Sequence, residues 1–115
     1  MNSDSSNKKN DEHQDGDQNC VSQLKVLADP TRLAVMRRLL QEPQQVSDLK
    51  NALDVEQSLL SHHLRVLRDA GLVTDERVGK SVLYRLAPGV NVDPAASSIH
   101  LGCCRLSFDD PEPSS

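Results

Sequence analysis

The sequence predicts an α+β fold, mainly helical, in which two short helices joined by a tight turn precede a two-stranded β-hairpin: a winged helix-turn-helix. Three observations predict it. Apolar residues recur at helical spacing over Val46–Leu53 and again over Gln57–Ala70, with only Asp54-Val55-Glu56 between them. Gly71 then stands where a left-handed residue closes a helix. Beyond it, Leu72–Arg77 and Ser81–Leu86 are rich in Val, Leu, Thr and Tyr and flank Val78-Gly79-Lys80, a link suited to a hairpin.

The remaining elements follow in order. Residues 1–19 are Asn, Asp, Ser, Gln and Lys with almost nothing apolar, too little to offset the entropy of ordering, and read as a disordered acidic tail. A first helix runs over Val21–Ala28 with Val21, Leu24 and Leu27 at helical spacing. Asp29 is placed as the N-cap of a second helix and Pro30 at its first position, where the missing N–H is harmless. Leu33, Met36 and Leu40 form its stripe, and Glu42-Pro43 ends it. In the third helix Val46, Leu49 and Leu53 point inward and Ser47, Asp48 and Lys50 outward. Residues 20–87 thus form the DNA-binding-type domain. Residues 88–108 form a C-terminal segment, broken by Pro88, Gly89 and Pro94 but holding an apolar island at Ile99–Phe108 and the Cys103-Cys104 pair. Residues 109–115 read as a second solvated tail. Tyr84 and Phe108 are the only aromatic residues in 115, so the core must be small and aliphatic, and help from a partner subunit is expected.

The net charge of −4 is unevenly spread. Residues 1–19 and 88–115 each carry −3, whereas residues 20–87 carry ten Lys and Arg against eight acids. Phosphate binding needs local clusters of Lys and Arg on one face, so an acidic total does not exclude DNA. No apolar run approaches the roughly 20 residues of a membrane span, and Met1-Asn2-Ser3-Asp4 lacks a signal peptide's apolar stretch. A cytoplasmic protein without membrane contact is expected. Three cysteines in such a chain argue against a structural disulfide framework and for reduced thiols.

On a wheel of 100° per residue, Gln57, Ser58, Ser61, His62, Arg65 and Arg68 share an arc of about 140°, while Leu59, Leu60, His63, Leu64, Val66 and Leu67 fill the other side. The first set is what major-groove reading requires. Gln pairs with adenine, Ser and His reach base edges, and Arg grips guanine or phosphate. The hairpin carries Arg77 and Lys80 at its tip, where a wing touches backbone or minor groove. His62 and His63 point about 100° apart on a helix and do not pinch one ion; His63, on the apolar side, reads as a satisfied, half-buried histidine.

Leu27-Ala28-Asp29-Pro30-Thr31-Arg32-Leu33, the run from Gln57 to Val73 (QSLLSHHLRVLRDAGLV), and Arg77-Val78-Gly79-Lys80-Ser81-Val82-Leu83-Tyr84, in that order, resemble the ArsR/SmtB family of metal-responsive repressors. The resemblance covers about residues 22–87. It implies a homodimer that sits on double-stranded operator DNA until an inducer weakens binding, with the helix from Gln57 as recognition helix. It also implies where inducers bind. One family site uses cysteines in the helix before the recognition helix, where this chain has Val46-Ser47-Asp48-Leu49-Lys50-Asn51. Another uses acidic residues and His on a long final helix, where this chain has only Asp93 and His100 and is broken by Pro94. Cys20, Cys103 and Cys104 remain, and the resemblance, which packs the first helix against the C-terminal segment, brings them near one another.

Three thiolates suit As(III) or Sb(III) as inducer, since soft ions select sulfur; His100 as a nitrogen ligand would shift preference toward Zn or Cd. In a regular strand Cys103 and Cys104 would point to opposite faces, whereas a bend at Gly102 would unite them. Two alternatives stay open for the cysteines: a redox switch pairing Cys20 with one of the pair, and inert packing. A winged-helix module that docks a protein partner is the other reading of the domain. An enzyme is the weakest reading, for the sequence offers no Ser-His-Asp order, paired cleft carboxylates or phosphate loop, and no enzyme is expected.

Overall fold

The computed structural model describes residues 20–108, and the two expected tails, residues 1–19 and 109–115, lie outside the described residues. Helix α1 covers residues 20–27. Then follow α2 (Pro30–Gln41), the two-residue strand β1 (Gln44–Gln45), α3 (Val46–Leu53), α4 (Gln57–Asp69), and the hairpin β2 (Val73–Val78) and β3 (Ser81–Leu86). A second small sheet comprises β4 (Asn91–Asp93), a 3₁₀ turn at Pro94–Ala96, β5 (Ser98–His100) and β6 (Arg105–Ser107).

Local chemistry sets the helix boundaries. The Asp29 carboxylate accepts from the backbone N–H of Thr31 (2.8 Å) and Arg32 (3.0 Å), satisfying two of the first-turn donors of α2. These bonds hold its pKa below the usual carboxylate range. The chain leaves α2 through Glu42 in extended conformation, ahead of Pro43. Between α3 and α4 the sharp reversal places Asp54 at φ 55°, a left-handed position that Asp tolerates. Gly71, at φ 79°, ends α4 as expected, and the Leu72 N–H returns to the Leu67 carbonyl.

The core joins all the helices to both sheets. Met36, Leu49, Leu60, Leu64, Leu67, Leu72 and Ile99 are fully buried within it. In α2 the buried stripe is Val35, Met36, Leu39 and Leu40, wider than the three residues expected, and Leu33 is only half-buried. Two apolar readings are corrected. Val21 and Leu24 of α1 are 43% and 38% exposed, because α1 packs through a stripe at Cys20, Gln23, Val26 and Leu27 that leaves Leu24 at its rim and Val21 beyond it. Leu59 is 48% exposed, because the buried stripe of α4 is narrow, centred on Leu60, Leu64 and Leu67, and Leu59 sits at its rim about 100° away.

The wing is an antiparallel hairpin in register from Val73–Leu86 to Val78–Ser81. Val78 is therefore the last paired residue, and the turn is Gly79-Lys80 alone, with Gly79 at φ 64°. Strand β1 adds to the other side of β3 through Gln44–Tyr84 and Gln45–Leu83, giving the order β1-β3-β2. Two residues are too few for an alternation pattern, which is why the sequence does not announce β1.

Beyond the wing the chain forms an antiparallel meander, β4-β5-β6, in place of an irregular segment. Ile99, fully buried, and Val90 anchor it to the core, while Arg37 of α2 lies over the Phe108 ring at 5.9 Å. Among residues 88–108 there is no α-helix.

Candidate nucleic-acid interface and thiol cluster

Helix α4 presents Gln57, Ser58, Ser61, His62, Arg65 and Arg68 to solvent on one face, as the wheel predicts, and buries Leu60, His63, Leu64 and Leu67 on the other. An open depression of about 590 Å³ runs along Glu56, Gln57, Ser58, Ser61, His62 and Arg65. Ser58 donates to the Glu56 carboxylate at 2.9 Å, so a carboxylate stands at the N-terminal edge of this face. Arg65 forms no ion pair among the described residues, whereas Arg68 donates to Asp75 of β2 at 3.0 Å. Arg68 thus ties α4 to the wing. Asp75 was not singled out in the sequence; its partnership depends on the β2 register, which brings it opposite Tyr84.

A second groove, of about 430 Å³, lies between α3, α4 and the wing and is lined by Gln45, Ser47, Lys50, Gln57, Ser61, Asp75 and Lys80. It joins the expected base-reading residues Gln57 and Ser61 to the wing-tip Lys80. Arg77, also expected to touch DNA, is exposed on β2 beyond it. The added cation is Lys50 of α3, which the sequence places only as an outward residue.

His63 is 7% exposed, and its Nδ1 accepts from the Arg32 Nε at 3.0 Å. Burial lowers its pKa, and with Nδ1 accepting from Arg32 the neutral ring carries its proton on Nε2. The same guanidinium donates through Nη1 to the Val26 carbonyl at 3.1 Å. Arg32 therefore links the last turn of α1 to the core side of α4, and His63 is the satisfied core histidine that its position on the wheel predicts.

The three cysteines converge. Their sulfurs lie within 4.8 Å of one another, with Cys20 buried, Cys104 half-buried and Cys103 exposed. Cys20 and Cys103 are in disulfide contact, their Cα atoms 6.0 Å apart, and the Cys104 Sγ is 3.9 Å from the Cys20 Sγ. This pairing departs from the expectation of reduced thiols and joins Cys20 with one of the adjacent pair, as the redox alternative has it. Cys103 and Cys104 occupy the turn between β5 and β6, not a strand, so the opposite-face objection does not arise. Gly102, at φ 101°, takes a conformation that side-chain-bearing residues avoid, and the Leu101 N–H closes the turn on the Cys104 carbonyl at 2.9 Å. His100 stands on β5, paired with Asn91 and Arg105, and is not part of the sulfur group. The donor set is sulfur alone, which fits a soft ion and offers an exposed point of entry at Cys103.

Residues 29–75, from the α2 cap to the first half of the wing, match the model of the bacterial regulatory protein arsR family. The chain is also 34% identical to reduced HlyU from Vibrio cholerae N16961, covering 66% of this chain and 80% of that one with a TM-score of 0.62. The chain belongs to the arsR family. Among curated relatives it is 48% identical over 66 residues to the transcriptional regulator NmtR of Mycobacterium tuberculosis, covering 57% of this chain and 55% of that protein. To the arsenical resistance operon repressor of Escherichia coli it is 42% identical over 71 residues, or 61% of each chain. It therefore spans little more than half the length of these arsR-family relatives. Both relatives bear the names of regulators of transcription, one a regulator and the other an operon repressor. The match begins after Cys20 and ends before the β4-β5-β6 sheet, so all three thiols lie outside the residues 29–75 shared with the family model.

Proposed function

We propose that this arsR-family chain is a DNA-binding transcriptional repressor, acting as a homodimer, that is released from its operator when a thiophilic ion is captured by Cys20, Cys103 and Cys104. The observation that carries the reading is the convergence of three sulfurs within 4.8 Å, two from the C-terminal turn and one from α1, on a chain that also exposes a helix-turn-helix face. As(III) and Sb(III) are the favoured inducers, because the site offers three sulfurs with no nitrogen or carboxylate oxygen; Zn and Cd usually take a fourth ligand, and His100 stands apart from the group. DNA contact is assigned to Gln57, Ser58, Ser61, His62 and Arg65 on α4, to Arg68 once it leaves Asp75, and to Arg77 and Lys80 on the wing. Dimerisation is supported by Val21 and Leu24, an exposed apolar pair on α1.

A second reading is favoured by one observation, the Cys20–Cys103 contact: oxidation of these two thiols to a disulfide would gate DNA binding instead. The two separate in one experiment. Affinity for a duplex selected by the chain from a randomised pool is measured in a non-thiol reductant, alone and with arsenite, antimonite, Cd or Zn, and again after peroxide. Weakening by arsenite or antimonite under reducing conditions supports the metalloid reading. Weakening by peroxide alone supports the redox one, and insensitivity to every agent overturns both.

A further inference from the structure

We infer that Gln23 is the residue through which occupancy of the thiol cluster reaches the recognition helix. This rests on the thiol-gated reading above and names its route. Helix α1 carries Cys20 and, three residues on and on the same face, Gln23. The Gln23 Nε2 donates to the Ala70 carbonyl at 3.0 Å. That carbonyl belongs to Ala70, the C-cap residue of α4, where backbone acceptors have no partner within the helix. Gln23 also overlies the next residue, its amide nitrogen 3.9 Å from where a Cβ would stand on Gly71.

Besides this bond, the hydrogen-bonded link between α1 and α4 is indirect: Arg32 of α2 joins the Val26 carbonyl to His63. Arg32 is itself fixed by its place in the α2 cap, where its N–H bonds Asp29. Gln23 alone among these residues lies on the helix that holds Cys20 and touches α4 directly.

Capture of an ion gives the route a direction as well as a geometry. An ion bound at metal–sulfur distances of about 2.3 Å fixes three sulfurs relative to one another. Two belong to the β5–β6 turn and one to α1, so binding sets where α1 stands against that turn. A shift of α1 moves Gln23, and the Ala70 carbonyl must follow or lose its donor. Either outcome alters the end of α4, whose other residues read DNA. Coupling of this kind is a free energy between two sites, measured as the ratio of DNA affinities without and with the inducer.

The test replaces Gln23 with Met, similar in length but without a donor, and separately with Lys, which keeps one. For each chain, in a non-thiol reductant, three quantities are read: arsenite binding by thiolate absorbance, affinity for the selected duplex without arsenite, and the ratio of affinities without and with it. A residue that merely supports the fold would change the first two and leave the ratio alone. The relay predicts that Gln23→Met binds arsenite as the wild type does while its ratio falls about 2- to 12-fold, the net worth of one hydrogen bond, and that Gln23→Lys keeps most of the ratio. A Gln23→Met ratio equal to the wild type's overturns the relay and leaves the thiol-gated reading standing. A wild-type ratio of one overturns the reading beneath it.

Discussion

Arg65 and Arg68 lie one turn apart on the exposed face of α4, yet of the two only Arg68 is held in an ion pair among the described residues. Arg68 is held by Asp75 at 3.0 Å, with side chains 44% and 32% exposed, while Arg65 has no ion-pair partner among the described residues. A surface pair of this kind is worth about 0–1 kcal/mol, so Arg68 gives back most of what it gains when it turns from Asp75 to a phosphate. Arg65→Ala is therefore expected to lose about 1–3 kcal/mol of duplex affinity per subunit, or roughly 5- to 150-fold, and Arg68→Ala clearly less. If Arg65 neutralises a phosphate, each subunit removes about 0.9 from the slope of log affinity against log salt. Asp75→Asn should leave binding unchanged or tighten it, because it releases Arg68. Fluorescence anisotropy of a labelled duplex over a salt series reads all three variants, and the exposure of these positions keeps the fold intact. Equal losses for the two arginines, or an unchanged salt slope for Arg65→Ala, would refute this account of the face.

Three further outcomes are expected. Asp29→Ala should destabilise the chain by about 1 kcal/mol at neutral pH, a fall of about 4–8 °C in Tm for a domain of this size, while Asp29→Asn, which keeps an acceptor, should cost a few tenths. Because the folded-state pKa of Asp29 is lowered, its contribution is present above its ordinary value of 3.8 and is lost as pH falls through the folded value, so the wild type and Asp29→Ala should converge in acid melts. Leu64→Ala, at a position 1% exposed in the core side of α4, should cost about 2–5 kcal/mol in denaturant unfolding. Gly102→Ala meets no neighbour within 4 Å, so its cost is backbone strain alone, about 1–2 kcal/mol; it should weaken arsenite binding, read by thiolate absorbance, and leave inducer-free duplex affinity unchanged.

The helix-turn-helix and wing were legible because each rests on short-range rules: Asp29 and Pro30 at a helix start, Gly71 at a helix end, and an apolar stripe at Leu60, Leu64 and Leu67. The readings that changed depend on what packs against what. Leu59, Val21 and Leu24 are apolar, and periodicity alone cannot say that neighbouring elements leave them uncovered. Strand β1 and the β4-β5-β6 sheet consist of two- and three-residue strands, whose existence is decided by partners distant in sequence. At the thiol cluster the residues remained once the other sites implied by the resemblance were set aside, and their meeting was expected from that resemblance alone, because no local rule reports it. Cys20 and Cys104 are 84 positions apart, and the turn that unites Cys103 with Cys104 hinges on the backbone of Gly102. The Arg68–Asp75, Arg32–His63 and Gln23–Ala70 bonds likewise carry no local signal, since each joins two separate elements.

The claim that three sulfurs on this chain govern its hold on DNA is tested most directly by Cys104→Ser. Cys104 stands outside the Cys20–Cys103 contact, so the substitution keeps the pair that a redox switch needs and removes the third thiolate that a metalloid needs. Duplex affinity is titrated with arsenite, in a non-thiol reductant, for the wild type and for this variant. The account predicts that arsenite releases the wild type from DNA and that Cys104→Ser stays bound at the same concentration, with equal affinities before arsenite is added. Release of both chains at the same arsenite concentration, or of neither, would contradict it.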